Sequence, residues 1–258
     1  MKVFVCTDLE GVCGVFRWEQ TDYGNPANME ARHLLMGEVN AAIAGACDAG
    51  ATRVVVQDGH GGARSFLPED LDERGRMAMG QVGNFDRLLE EGFDCAFLVG
   101  YHSMNHTPNG VLCHTQSSET WDNFWINGRL AGEIAQEAIW LGSHGIPITL
   151  VTGDGKACAE ATAWLGKDVV TVAVKEGLSR EGALMLAPKR ARQLIRAAAK
   201  EAVQKAATLK PYNVNFPLTL RFQFTNSEIV DSYRGIARRI DACTIEKEIV
   251  RGVEVFGP

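Results

Sequence analysis

Hydrophobic positions along the chain fall into two patterns. Short continuous apolar runs recur at Val3 to Thr7, Arg53 to Gln57, Cys95 to Gly100, Pro147 to Thr152 and Val169 to Ala173, rich in Val, Leu or Phe and without strict alternation. Such runs predict strands of a sheet covered on both faces. Between and after them, helical spacing covers Met29 to Ala49 with a Gly50 stop, Phe85 to Glu91 before Gly92, Gly132 to Leu141, Gly155 to Leu165 before Gly166, and Ala187 to Ala207. The alternation predicts an α/β fold with a mostly parallel sheet flanked by helices, over residues 1–208.

Two segments depart from that alternation. Asn127-Gly128, between "NFWI" and "RL", predicts a hairpin and so a short antiparallel excursion. After the last long helix, "KPYNVNFP" has the composition of a linker, and "LTLRFQFTN" and "CTIEKEIV" predict strands around a short helix. Residues 209–258 are therefore expected to form a smaller C-terminal α+β appendage.

Composition narrows the functional classes. With 258 residues, 46% hydrophobic and 22% charged, the chain can bury a large core. The net charge of -6 comes without a basic stripe interleaved with aromatics, which argues against nucleic acid as a partner. The first apolar run ends at Cys6, too short for a signal peptide, and no segment approaches a membrane span, so no membrane association and a cytoplasmic location are expected. Seven cysteines without a C-x-x-C pair predict buried free thiols, of which Cys13 is the one to watch because it sits close to Asp8 and Glu10.

Those acids raise the chemical question. Three strands end in polar groups: "VFVCTDLE", "VVVQDGH" and "AFLVGYH". In open parallel sheets ligands sit outside the carboxyl ends of the strands, so Asp8, Glu10, Asp58, His60 and His102 should converge on one crevice. Carboxylates and imidazoles without thiolate make a Lewis-acidic site suited to hydrolysis. Asp8 and Glu10 reach one ion together if the strand stays extended through them. Asp58 is either a strand-end cap or a group orienting a ligand or solvent. Glu133, in the first turn of a helix, suits the macrodipole whatever its role, and Glu137 faces the same side one turn on. His114 in "GVLCHTQ" is either a half-buried structural histidine or a proton-transfer group or nucleophile, and His106 in the same loop is a candidate for that role. "GDGKA" lacks Walker spacing, which leaves Asp154 as a helix N-cap. His33 and His144 read as structural, and Lys175 and Arg180 as flanks of a solvated turn, "EGLSR".

From Met1 to about Pro188 the chain resembles the DppA-type zinc D-aminopeptidases, through "DLEGVCGV", "VQDGHGG", "LVGYH", "LCHTQ", "WINGRLAGE", "VTGDGKA" and "VAVKEGLSREGALMLAP". The resemblance implies two zinc ions held by Asp8, Glu10, His60, His102 and Glu133, with Asp8 bridging and His114 catalytic. It places "EGLSR" near the active cleft. It also implies hydrolysis of short peptides or amino-acid amides with an N-terminal D-amino acid, and a ring-like homo-oligomer, a decamer. Family members are expected to continue past "VEVFGP" into a further helix. Another dinuclear metallohydrolase, an amidase or phosphoesterase, is the alternative on the same ligands, and a non-catalytic metal or peptide binder is the third class.

Overall fold

The computed structural model describes residues 1–80 and 85–258. The chain opens with β1 (Lys2–Thr7), α1 (Ala27–Asp48), β2 (Arg53–Asp58), β3 (Gly75–Ala78), a single turn α2 (Asp86–Leu89) and β4 (Cys95–Tyr101). A hairpin of β5 (Trp121–Ile126) and β6 (Arg129–Leu130) leads into α3 (Glu133–Ser143), β7 (Ile148–Asp154) and α4 (Gly155–Leu165). Then come β8 (Val170–Ser179), β9 (Gly182–Met185), α5 (Pro188–Lys205), β10 (Leu218–Phe224), α6 (Ser227–Ser232), β11 (Arg238–Arg239) and β12 (Thr244–Ile249).

The first sheet has strand order β3-β2-β1-β4-β7-β8-β9, parallel throughout except for β9. Its residues divide cleanly between two apolar layers. Val3 and Val5 of β1 pack with Leu35 and Val39 of α1 and Ile195 and Ala199 of α5, whereas Phe4 and Cys6 face Ile134 and Trp140 of α3 and Ala157 and Ala161 of α4. Burial on both faces is why these strands read as unbroken apolar runs.

The second sheet, β11-β12-β10-β5-β6, is antiparallel and discontinuous in sequence. Strand β10, from the C-terminal segment, pairs with the excursion strand β5, Phe222 opposite Phe124. The same helix serves both sheets. Ile134, Ala138 and Trp140 of α3 enter the first sheet's core, while Ala135 and Ile139 pack with Trp121, Phe124 and Phe222. No helix among the described residues is long and apolar enough to cross a membrane.

Asp154 caps α4 as expected, its carboxylate accepting the Ala157 N–H, and it also accepts from Val111. "EGLSR" is largely exposed, as expected, but it is strand as far as Ser179, where β8 ends, and Lys175 just before it is buried, because β7 and β9 flank the strand.

Helices α1 and α5 cross at Gly45, where an added Cβ would lie 2.2 Å from the Arg196 carbonyl oxygen and 2.8 Å from Ala199 Cβ. In an open helix, Gly to Ala gains roughly 1 kcal/mol of propensity, but overpacking costs about 1–3 kcal/mol. The contact is with backbone, which cannot swing aside, so Gly45→Ala should lower stability. Calorimetry should show Tm falling by about 2–4 °C per kcal/mol lost in a chain of this size.

Candidate metal centre

The three central strands β2, β1 and β4 are in register, Asp58 and Val99 both lying opposite Thr7, so their exits open at one level. Beyond Thr7 the chain does not stay extended. It turns at once, held by Asp8 N–H to Val99 O (2.9 Å) and Gly11 N–H to Gly100 O (2.7 Å). The turn works only because the backbones touch: a Cβ on Gly11 would lie 2.1 Å from Tyr101 O, and Gly100, at φ 79°, sits against Asp8 O. Asp8 and Glu10 thus reach the same crevice through a turn, where an extended strand was expected.

Two groups of potential ligand atoms result, Asp8, Glu10 and His60 in one and His102, His114 and Glu133 in the other. His60 Nδ1 lies 3.3 Å from Asp8 Oδ1 and 3.0 Å from Glu10 Oε2. His102 Nε2 lies 3.3 Å from Asp8 Oδ2 and 3.3 Å from Glu133 Oε1. Asp8 therefore turns one oxygen to each group. His114 Nε2 is 3.7 Å from Glu133 Oε1, and its ring stacks on His102 with centroids 4.0 Å apart.

The outer nitrogens of the imidazoles fix what the inner ones can be. His60 Nε2 donates to Thr21 O at 3.1 Å, His102 Nδ1 to Ser103 O at 2.9 Å and His114 Nδ1 to Leu112 O at 2.8 Å. A carbonyl only accepts, so each of those nitrogens carries a proton, and in the neutral tautomer the nitrogen facing the carboxylates is a bare lone pair. Lone pairs facing carboxylate oxygens repel unless a proton or a cation lies between them. Asp8 Oδ2, Glu10 Oε2 and His102 Nε2 are buried without a hydrogen-bond partner among the described residues. Buried polar atoms normally find partners, and these orphans, Asp8 Oδ2 facing His102 Nε2 and Glu10 Oε2 facing His60 Nδ1, fit bound cations.

Without a cation the same groups perturb one another. Burial, with Glu10 beside it, pushes Asp8 up to about 7. Burial raises Glu133 too, but His102 outweighs it and holds that carboxyl at about 2. Burial works against protonated His60 and His102, and the adjacent carboxylates overcome it and raise both. His114 goes the other way: burial and neighbouring His102 lower it, leaving a neutral imidazole.

The other sequence candidates fall outside this contact set. Asp58 accepts the backbone N–H of His60 at 3.2 Å and that of Ser65, so it holds the loop carrying His60 without touching the ring. His106 is exposed and bonded to Asp122 at 2.7 Å, and belongs to neither group. Glu137 lies beneath the site, accepting from Tyr101 Oη and Cys6 Sγ, and burial pushes it up to about 8. None of the seven cysteines is in either group, and Cys13 donates to Leu186 O. His33 pairs with Asp70 and His144 with Asp86.

The groups open into a cleft of about 570 Å³ whose walls include Trp18, Tyr23, Gln116 and Glu119. Trp18 meets His114 edge-on at 5.5 Å, and Tyr23 Oη donates to the His60 carbonyl. Nothing in their local sequence marks these wall residues. Nor does the local sequence mark Lys175, which the alternation of "VTVAVK" groups with exposed Thr171 and Ala173. Its buried ammonium donates to the carbonyls of Glu10, Val12 and Val15 and so ties down the turn carrying the two acids.

An α/β sheet with a buried carboxylate and imidazole centre at its strand exits defines a metallohydrolase type of site. The model of the D-aminopeptidase peptidase family matches residues 1–257, and the chain belongs to that family. A D-aminopeptidase of Bacillus subtilis (strain 168) is 30% identical over 228 residues, spanning 88% of this chain and 82% of that protein. The solved structure of the Zn-dependent D-aminopeptidase DppA from Bacillus subtilis, described as a self-compartmentalizing protease, matches with a TM-score of 0.91 at 27% identity, covering 99% of this chain and 94% of that one.

Lys175 supplies the test of the turn. In Lys175→Met three buried carbonyls lose their donor while the fold keeps a side chain of similar volume. Loss of a group that orients ligands typically costs about 10–100-fold in metal affinity. Zinc titration of the variant, with circular dichroism as the control for folding, should show a loss in that range.

Proposed function

We propose that this chain is a zinc-dependent aminopeptidase that hydrolyses short peptides or amino-acid amides bearing an N-terminal D-amino acid, with two ions held by Asp8, Glu10, His60, His102 and Glu133. The observation that carries the reading is the set of buried, unpartnered nitrogen and oxygen atoms facing one another across Asp8. Three carboxylates with neutral imidazoles complement divalent ions in charge, and the donor set suits zinc. Family membership and the Zn-dependent relative support the metal and the substrate class.

Bound zinc supplies Lewis acidity there, bringing hydroxide within reach at neutral pH and polarising a carbonyl. The chain's own residues do the rest. Asp8, with one oxygen toward each group, would contribute a ligand atom to both. His60 and His102 are oriented by the carbonyls of Thr21 and Ser103. His114, neutral and held by Leu112 O, keeps Nε2 free to take a proton from the attacking water and return it to the leaving amine. Its 3.7 Å separation from Glu133 Oε1 also places it within the second group, so ligation is the competing role, and metal content separates the two.

The structural relative is described as self-compartmentalizing, and we extend that to a closed homo-oligomeric ring here, a decamer. Light scattering at micromolar concentration should give a closed multiple of the 28.1 kDa chain, and a monomer rejects the ring.

The central test combines metal analysis with hydrolysis of D-alanyl and L-alanyl amides and a phosphoester panel. About two zinc per chain are expected at saturation, with turnover of the D-alanyl amide. His60→Ala and His102→Ala should each lose metal and activity together. His114→Ala should keep both ions while kcat falls about 10²–10⁴-fold and KM changes little. Loss of metal in that variant makes His114 a ligand, and turnover confined to phosphoesters makes the chain a phosphoesterase.

A further inference from the structure

Beyond the metal groups the cleft continues into an outer lobe of about 510 Å³ lined by Trp18, Thr21, Asp22, Ser118, Glu119 and Arg180. Five of these residues also wall the inner cleft, so the two lobes are continuous, and Arg180 is the residue that the outer lobe adds. Its guanidinium is held in place. Nε and Nη2 donate to the Cys113 carbonyl at 3.3 and 3.1 Å, and Cζ lies 5.1 Å from the Trp18 ring centroid. Among the described residues its guanidinium makes no other hydrogen bond, which leaves Nη1 without a partner on a residue that lines the lobe.

The position relative to His114 gives that unpartnered nitrogen a meaning. Cys113 precedes His114 in the chain, and the His114 ring lies 5.5 Å from the same Trp18 ring on which Arg180 stacks. In the proposed mechanism His114 protonates the leaving amine, so its side of the cleft is the leaving-group side. In an α-amino acid the carboxylate carbon lies about 2.5 Å from the amine nitrogen, from standard backbone dimensions. A leaving residue that takes its proton from His114 therefore turns its carboxylate toward the outer lobe.

We infer that Arg180 binds the free α-carboxylate of the leaving residue, so that the preferred substrates are dipeptides ending in a carboxylate, and their C-terminal amides are poorer. The inference rests on the aminopeptidase reading and sharpens its substrate class. Asp22 and Glu119 share the lobe and oppose an anion there, so the guanidinium must outcompete them. A charge-assisted pair against that background is expected to give a preference of about tenfold. The arrangement also supplies a second fixed point, besides the reacting carbonyl, for orienting the leaving residue.

The test compares kcat/KM for D-alanyl-D-alanine and for its C-terminal amide, on zinc-loaded wild type, Arg180→Ala and Arg180→Lys. Wild type should favour the acid about tenfold, Arg180→Ala should erase the preference, and Arg180→Lys should recover part of it. A merely structural Arg180, serving only to hold the His114 loop, would depress both substrates together and keep their ratio, and that result overturns the inference. Calorimetric binding of N-acetyl-D-alanine against N-acetyl-D-alaninamide, both lacking the free amine an aminopeptidase needs, is the second readout, and an affinity ratio unchanged by Arg180→Ala overturns it as well. Failure of wild type to hydrolyse either peptide rejects the aminopeptidase reading, while the calorimetric ratio still decides whether Arg180 binds carboxylates.

Discussion

Burying three carboxylates and three imidazoles in one crevice is the constraint on which the rest of the structure turns. Removing a single carboxylate from water costs several kcal/mol even after relaxation, and like charges at contact add to it. Protons alone can relieve the repulsion only by distorting the titration of every group, which is what the raised Asp8 and the depressed Glu133 express. A divalent ion in each group relieves it without moving a side chain, because Asp8 already presents a separate oxygen to each.

Every nearby device serves to hold that repulsive arrangement in place. Parallel register puts the exits of β2, β1 and β4 level. Glycines at 11 and 100 let the turn of one strand lie directly on the backbone of the next. Lys175 gathers three carbonyls under the acids, and Asp58 fixes the backbone that carries His60. The imidazoles are clamped from outside by main-chain carbonyls, a rigid acceptor that selects one tautomer. The result is a site whose donors are arranged before any ion arrives.

How much of this could be read from residue order depends on the range of the forces involved. The core strands and α1, α3, α4 and α5 were legible because burial on one or two faces imposes a local period, and Asp8, Glu10, His60 and His102 stood out as candidates because they follow strand ends, whereas Glu133, opening a helix, had no such mark. The turn at Asp8 was not, since an acid and a glycine after a strand are compatible with extension until Tyr101 presses from the neighbouring strand. Nor was the second sheet's membership. Phe222 finds Phe124 about a hundred residues away, and nothing in either alternating strand names its partner. Lys175 was misread for the same reason: a cation in a polar stretch is ordinarily solvated, as exposed Arg180 is, and only tertiary packing turns Lys175 inward.

The division of ligands between elements has an energetic consequence. Asp8, Glu10, His60 and His102 hang from the first sheet, whereas Glu133 opens α3, the helix shared with the second sheet. The second sheet reaches that helix through the packing of Ala135 and Ile139, and the segment that follows β12 adds a bond from Gln136 Nε2 to Val255 O. An ion held by both His102 and Glu133 therefore ties α3, and with it the second sheet, to the strand exits of the first. An ion that binds only when these elements are docked stabilises the docked state by RT ln(1 + [ion]/Kd), about 2.7 kcal/mol at a hundredfold excess over Kd. With Glu133 as a ligand, as proposed, metal loading and the packing of the two sheets would be coupled, and a weakening of either would reach the other through Glu133.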